Sequence, residues 1–177
     1  HGGRFAELVM RVTDVFLAVP SLILAIALAQ LFRAGLAGAI FALSVTYWPH
    51  FCRNAYAETR GAKTSTFVEA LESIGASSTR IVFFHILPNI ASPIIVRLTV
   101  GLGYIIMTAA VLGFLGIGVP PPTPDWGAAI AHSRQHLPEA WWLVSFPGLA
   151  IFLCVLGFNL LGDGLRDVID PQLRRAR

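Results

Sequence analysis

Four long apolar runs constrain what this 177-residue chain can fold into more than any other feature. They cover residues 15–32, 36–51, 90–119 and 141–162, and consist mainly of Leu, Ile, Ala, Val and Phe. A helix needs roughly 20 apolar residues to cross the hydrocarbon core of a bilayer, and each run reaches or approaches that length. Because the runs are continuous and do not alternate in polarity, they predict helices. The expected fold class is an all-α membrane protein, a polytopic helical bundle.

The composition supports a membrane as the solvent of this chain. Hydrophobic residues make up 55% of the sequence and charged residues only 13%, and the mean hydropathy is +0.69. A soluble domain of this length does not require so much apolar surface. Cys52 and Cys154 lie in or beside different apolar runs without metal-ligand spacing, so we expect inert, reduced thiols. The polar, basic first residues and Pro20 inside the first run argue against a cleavable signal peptide.

The distribution of Lys and Arg predicts the orientation, because excess positive charge stays on the cytoplasmic side. Only Arg33 and Arg134 fall in the loops of the opposite side, and Arg97 can snorkel from its helix to the basic side. The basic side collects Arg4, Arg11, Arg53, Arg60, Lys63, Arg80, Arg166, Arg174, Arg175 and Arg177. We therefore expect both ends of the chain to be cytoplasmic and residues 120–140 to face outward. This topology accounts for the net charge of +3, so nothing points to nucleic acid.

A polar island, residues 66–88, separates the second and third apolar runs and reads TFVEALESIGASSTRIVFFHILP. Thr66 and Glu69 have the spacing of a capping box, which predicts that a short helix begins at Thr66. Gly75 stands where a helix C-terminus favours a residue with positive φ. One apolar face is predicted from residues at helical spacing, namely Val68, Leu71 and Ile74. An amphipathic, capped helix between two membrane segments is typical of a docking surface.

The island resembles the cytoplasmic loop of integral-membrane permease subunits of binding-protein-dependent ABC importers. That loop reads E-A-A, three residues, G, nine residues, I, one residue, L-P, and the matching positions here are Glu69, Ala70, Gly75, Leu87 and Pro88. Leu71 replaces the third-position alanine, and His85 replaces the isoleucine. The resemblance implies that residues 57–88 form the ATPase-coupling loop, with Glu69, Ala70, Leu71, Gly75, Leu87 and Pro88 as its coupling residues. It also implies the type I ABC importer transmembrane-domain fold.

Three further stretches are similar to the dipeptide, oligopeptide and nickel branch of that family. They are the entry GGRFAELVMRVTDVFLAVP, the segment GFLGIGVPPPTPDW at residues 113–126, and the C-terminal NLLGDGLRDVIDP. Glycines and prolines in the second stretch predict an ordered outer loop that contains Pro120, Pro121, Pro122, Pro124 and Trp126. Whether this loop is a rigid turn or contacts a binding protein or substrate stays open. The resemblance extends over residues 1–177 as one transmembrane domain, the C-terminal portion of a second-type permease subunit.

The resemblance also implies the partners and the place in the cell. The expected partners are a homologous permease subunit, two ABC ATPase subunits and an extracytoplasmic solute-binding protein, in a bacterial or archaeal cytoplasmic membrane. The chain contains no G-x-x-x-x-G-K-[S/T] phosphate loop, so we expect ATP and Mg²⁺ to bind the partner ATPases. H-E-x-x-H and G-x-S-x-G arrangements are also missing. The prediction is a transport subunit without a cofactor of its own, and not an enzyme.

Two polar features and two other functions remain open. Tyr47 and His50, beside Pro49, either line a substrate path or serve helix packing and interfacial anchoring. His132 and His136, four residues apart on a helix predicted over 128–136, are either surface histidines or a weak two-ligand metal site. The alternatives to a peptide permease are a nickel-importing member of the same family and, in another class, an ATP-independent secondary transporter or channel.

Overall fold

The structure, a computed structural model, describes residues 3–32 and 35–169. Within these ranges a π-helical segment, Ile81–Ile86, joins two α-helices, and a 3-10 turn spans Arg134–His136. The α-helices are α1 (Arg4–Leu17), α2 (Ser21–Leu31), α3 (Leu36–Lys63), α4 (Thr66–Ser73), α5 (Ser78–Arg80), α6 (Leu87–Phe114), α7 (Trp126–Ser133) and α8 (Trp142–Ile169). No strand occurs in the described ranges. The predicted all-α fold class is confirmed.

Two of these helical stretches are long and apolar enough to cross a membrane. One is the continuous 37-residue helix Ser78–Phe114, which joins α5, the π-helical segment and α6, and the other is Trp142–Val168 in α8. A third is counted only if α1 and α2, which meet at 88°, together make one broken span. Helix α3, whose C-terminal half is polar, is not among them. The prediction of four spans and their orientation therefore stays a prediction.

The first apolar run does not form the single helix predicted over residues 15–32. Helix α1 ends at Leu17, and α2 starts at Ser21 after a sharp bend. Pro20 lies at the break with φ −54° and ψ 122°, an extended conformation that leads into α2. Proline has no N–H to donate to the preceding turn, and it disfavours helical conformation in the residue before it. Pro20 therefore divides an apolar run whose composition alone suggests continuity.

The remaining helix boundaries differ from the apolar runs in instructive ways. Helix α3 begins at Leu36 as predicted but continues past residue 51 to Lys63, and α6 ends at Phe114, short of the predicted end at Val119. Helix α8 starts one residue after the predicted Trp141 and continues beyond residue 162. Apolar runs mark the part of a helix that suits lipid, whereas caps and glycine turns decide where the helix stops.

Small side chains allow the central helices to approach one another closely. Ala25 and Ala29 of α2 pack with Ala42 and Leu43 of α3 and with Leu112 of α6, and all five are buried. Helix α6 also contacts α7 and α8. The most apolar 18-residue window of α8 buries none of its residues within the chain. Large exposed apolar surfaces of this kind are expected where lipid or a partner helix, and not water, covers the protein.

Candidate functional site

Helix α4 begins differently from the predicted capping box. Thr66 is the first helical residue, and Ser65 precedes it in an extended conformation as the N-cap. The Ser65 hydroxyl donates to the main-chain oxygen of Ala62 at the end of α3, so it does not cap α4. With Thr66 already inside the first turn, the Thr66–Glu69 box is wrong. Because Ser65 and Thr66 both carry hydroxyl groups, the sequence leaves the N-cap position uncertain by one residue. In the structure the Ser65 hydroxyl is bonded to α3 and does not bond to α4.

The C-terminus of α4 has the geometry that the sequence predicts. Gly75 has φ +79°, in the left-handed region. Its N–H donates to the main-chain oxygen of Glu72 at 3.0 Å, and the N–H of Ala76 donates to that of Leu71, also at 3.0 Å. This pair of bonds is a Schellman motif, which satisfies carbonyl groups that a helix end otherwise leaves unpaired. The predicted positive φ at Gly75 is therefore confirmed.

One face of α4 anchors it to the bundle. Val68 is fully buried against Ile81 and Ile86 of the π-helical segment and Ile90 of α6, and Leu71 packs partly against the same cluster. The predicted third member, Ile74, is wrong because its side chain is 80% exposed. Each step of three residues turns a helix by about 60° away from the starting face, so two steps carry Ile74 away from the side of Val68.

The surface of α4 that surrounds this anchored side is exposed and mixed in character. It presents the carboxylates of Glu69 and Glu72 together with Ala70, Phe67 and Ile74. We call this set the α4 face. Two other predicted coupling residues, Leu87 and Pro88, are exposed at the start of α6. His85, which replaces the isoleucine of the motif, is half-buried in the π-helical segment. The fold therefore places Glu69 and Ala70 on the α4 face, while Leu71 packs toward the anchoring cluster and Leu87 and Pro88 lie on the helix to which α4 is attached.

The π-helical segment Ile81–Ile86 is a feature that sequence reasoning missed. It lies inside the continuous helix Ser78–Phe114 and ends two residues before Pro88. Proline cannot donate a hydrogen bond, and its ring crowds the carbonyl group four residues earlier, here that of Phe84. A wider turn accommodates both effects, and such π-helical insertions occur frequently at functional sites. Pro88 is the residue in the sequence that indicates this π-helical segment.

Between α2, α3 and α6 lies a polar cavity of about 410 Å³. It brings together Tyr47 and His50, whose ring centroids are 6.2 Å apart. The complete lining is Ser21, Tyr47, His50, Arg53, Asn54, Arg97, Val100, Gly101 and Tyr104. The sequence predicted Tyr47 and His50 as pathway candidates but did not link them to Arg97, Tyr104 or Ser21. Arg97 was the available signal, since it is the only charged residue in α6.

Close packing fixes the walls of this polar cavity. Gly101 is buried beneath Tyr47, and a Cβ at Gly101 would lie only 1.5 Å from the Tyr47 hydroxyl oxygen. That hydroxyl donates to the main-chain oxygen of Arg97 at 3.3 Å, which joins α3 to α6. The hydroxyl groups of Ser21 and Tyr104 share a hydrogen bond of 2.5 Å, which joins α2 to α6. Three helices are thus bound together around the cavity by aromatic hydroxyl groups.

At the other end of α6, the outer loop is ordered, as predicted. Gly116 has φ +75°, and the N–H of Ile117 donates to the main-chain oxygen of Leu112 at 3.0 Å. Asp125 then caps α7 by accepting from the N–H of Ala128 at 2.9 Å. Exposed side chains follow along this loop, namely those of Pro120, Pro121, Pro122, Pro124 and Trp126. Contact of these side chains with a binding protein or substrate stays a prediction.

The histidine pair is not presented as a metal site. The helix predicted over 128–136 ends at Ser133, and His136 lies in the 3-10 turn that follows, so the spacing of four no longer places both rings on one helical face. No group of three or more metal-binding side chains occurs within residues 3–32 and 35–169. Cys52 and Cys154 are both free and half-buried.

Two membrane-length helices, a cavity with polar side chains between α2, α3 and α6, and an exposed short helix at one end of the bundle define a helical membrane protein of the transport class. The chain belongs to the family of binding-protein-dependent transport system inner membrane components, whose family model matches residues 1–175. This assignment confirms the family and the fold inferred from the residues of the island.

Named relatives refine the comparison. The chain is 43% identical over 173 residues to the di/tripeptide transport system permease protein DppC of Pseudomonas aeruginosa, covering 98% of this chain and 57% of the relative. It is 44% identical over 168 residues to the dipeptide transport system permease protein DppC of Escherichia coli, covering 95% and 56%. With the corresponding protein of Alkalihalophilus pseudofirmus it shares 43% identity over 173 residues, covering 97% and 57%. The chain therefore spans a little over half the length of these relatives.

Proposed function

We propose that this chain is part of the transmembrane permease subunit of an ATP-driven importer that moves di- or oligopeptides, or a related small solute, across the cytoplasmic membrane. The observation that carries the proposal is the α4 face, an exposed, capped helical surface at the position of the family's coupling motif. Peptide cargo is favoured over nickel because the relatives at 43–44% identity are named as peptide permeases. Family membership disfavours the ATP-independent transporter or channel.

Helix α4 is built to transmit movement as a rigid unit. Its last turn is fixed by the Schellman bonds at Gly75, and Val68 holds it to the π-helical segment. That segment continues into α6, and the whole helix Ser78–Phe114 is 37 residues, roughly 55 Å, long at 1.5 Å per residue. A displacement of α4 by an ATPase would therefore move a helix that lines the polar cavity. This lever couples ATPase closure to alternating access.

The complete importer contains, in this proposal, a homologous permease subunit, two ABC ATPases that bind ATP and Mg²⁺, and an extracytoplasmic binding protein. The α4 end of the bundle is cytoplasmic and the proline loop faces outward. Support for this orientation comes from Arg53, Arg60, Lys63 and Arg80, which lie on the elements around α4. The permease chain itself performs no hydrolysis.

The test is reconstitution of the full importer, with its own ATPases and binding protein, in proteoliposomes. Radiolabelled dialanine should accumulate only when ATP is present on the ATPase side, and ATP hydrolysis should rise when loaded binding protein is added. Nickel supplied in place of the peptide should give neither response. Uptake without ATP, or a response to nickel alone, would replace the proposed function with one of its alternatives.

A further inference from the structure

Arg97 lies within an apolar helix, where a charged side chain is costly unless a partner or water stabilises it. It is the only charged residue in α6, LPNIASPIIVRLTVGLGYIIMTAAVLGF, and lies roughly 15 Å along the helix from Leu87 at 1.5 Å per residue. Ionisable residues within membrane helices are rare, usually face the interior or a water-filled cavity, and mark substrate pathways. Arg97 lines the polar cavity between α2, α3 and α6. The fold therefore raises the question of which group binds the guanidinium group of Arg97.

None of the ion pairs among the described residues includes Arg97. Among the described residues the ion pairs are Glu7 with Arg11 at 2.6 Å and Asp14 with Arg53 at 2.8 Å. Arg53 lines the same cavity as Arg97, but Asp14 already neutralises it. Within residues 3–32 and 35–169, no carboxylate comes within 4.0 Å of the Arg97 guanidinium group. The nearest competitor by location is Glu58, which shares with Arg97 the wall of a smaller cavity of about 240 Å³.

The remaining lining of the larger cavity suits an anionic oxygen ligand. His50 and Asn54 offer ring and amide donors, and Ser21 and Tyr104 offer hydroxyl groups. None of the described residues that line this cavity is acidic. A guanidinium group binds a carboxylate through two parallel hydrogen bonds, which are stronger and more directional than neutral ones. The volume of about 410 Å³ lies in the range of small-molecule sites.

We propose that Arg97 binds the C-terminal carboxylate of the peptide during its passage through the bundle, with His50 and Tyr104 beside it as further donors. This inference rests on the proposed function and adds to it the substrate end that the cavity recognises. Every unmodified peptide carries that carboxylate whatever its side chains are. A cationic subsite at Arg97 therefore binds a group that all peptide substrates share. The variable side chains of the peptide contact other parts of the pathway.

The experiment compares uptake of dialanine with uptake of dialanine amide by the reconstituted full importer, in wild type and in Arg97→Gln. The same binding protein serves both complexes, so its own preference cancels in the ratio of variant to wild type for each substrate. Loss of a charge-assisted hydrogen bond should lower dialanine uptake about tenfold or more, because such bonds contribute about 1.5–3 kcal/mol. Uptake of the amide should change less than about twofold. Arg11→Gln, which removes a surface charge, is the matched control and should change neither rate.

Further arms separate the outcomes. Equal loss for both substrates, or restoration of uptake by Glu58→Gln added to Arg97→Gln, would mean that Arg97 only balances Glu58, and would overturn the inference while peptide transport stands. If Arg97→Gln does not assemble with its ATPases, Arg97→Lys keeps the charge but loses the paired hydrogen bonds. It should then lower dialanine uptake more than amide uptake, and an unchanged ratio overturns the inference. If the wild-type importer moves no dialanine, the proposed function falls, and the inference falls with it.

Discussion

Two helix ends in this molecule share one backbone motif but differ in what that motif supports. Gly75 follows α4 and Gly116 follows α6, each with positive φ and each within the two bonds of a Schellman motif. After the proposed orientation, we call the Gly75 turn the inner end and the Gly116 turn the outer end. At the outer end, Ile117 packs on the main core beside Leu112, and α7 lies directly on α6. At the inner end, Ala76 joins only the small cluster around Val68.

The difference shows that a local motif fixes the shape of a turn but not its role. The outer turn continues into a loop held against the bundle, so it behaves as part of the core. The inner turn closes a short helix whose other face, which includes Glu69 and Ile74, is exposed. Disturbance of the outer end should therefore damage folding, whereas disturbance of the inner end should damage coupling to a partner.

The largest expected effect is the labelling difference between the two ends, which is all or none if they lie on opposite sides of a membrane. Single cysteines at Ser78 and Gln135, in a chain with Cys52 and Cys154 replaced by alanine, both lie at exposed positions. In intact cells a membrane-impermeant maleimide should label the cysteine at position 135 and not that at position 78. Permeabilised cells should label both positions. Equal labelling in intact cells would remove the orientation on which the comparison rests.

Next in size is the effect of Gly127→Ala at the outer end. A Cβ at Gly127 would lie 1.9 Å from the main-chain oxygen of Ala110, and neither backbone can move without displacing α7 from α6. We expect a loss of about 3 kcal/mol in the free energy of unfolding, the upper part of the usual range for overpacked sites. Thermal unfolding of the purified complex measures it. Gly148→Ala on α8, where nothing lies within 4 Å, is the control and should be neutral.

The inner end should respond in another way to Gly75→Val. Open space surrounds this position, so the cost is only that of left-handed backbone, about 1–2 kcal/mol for a residue other than glycine. We expect the bundle to form with a smaller loss of stability than in Gly127→Ala, while ATPase subunits co-purify poorly and substrate no longer stimulates hydrolysis. Gly75→Asn, which tolerates positive φ, should keep both properties. Normal ATPase retention in Gly75→Val would make the α4 face an ordinary solvated surface.

The sequence predicts features that depend on one or two neighbouring residues and misses those that depend on packing. Gly75, the ordered proline loop and the start of α3 follow from local chemistry, and α8 starts within one residue of the prediction. Helix α4 starts at Thr66 as predicted, but its N-cap is Ser65 and not Thr66, because these two residues offer equivalent hydroxyl groups. The pairing of Ser21 with Tyr104 joins helices that are far apart in sequence, so no periodicity signals it.

The break at Pro20 and the polar cavity illustrate the same limit. Pro20 indicates a possible break, but prolines are often tolerated within membrane helices, so the continuous apolar composition of residues 15–32 favours a single helix. Tyr47 and His50 were candidates because polar groups in an apolar run are conspicuous. Their meeting with Arg97 required α3 to pack on α6 over the bare surface of Gly101, a contact that only the tertiary structure provides.

The smallest effect on folding, and the sharpest on coupling, is expected from charge reversal on α4. Because no capping box forms, Glu69→Lys loses only the favourable position of a carboxylate near a helix N-terminus, about 0.5 kcal/mol. Glu72→Lys makes the same change in charge but places a cation near the C-terminus, where the helix dipole favours it. The two variants therefore shift the stability of α4 in opposite directions while altering the net charge of the α4 face equally.

ATPase retention in the purified complex then separates three causes. If Glu69 contacts the ATPase, Glu69→Lys should lose retention and Glu72→Lys should keep most of it. Equal loss in both variants would mean that the overall charge of the α4 face attracts the partner, since helix stability moves in opposite directions. Full retention in both, together with normal stimulation of hydrolysis by loaded binding protein, would leave the exposed face of α4 without a role. The proposal that the inner end serves coupling would then be wrong, while the structural role of the outer end would stand.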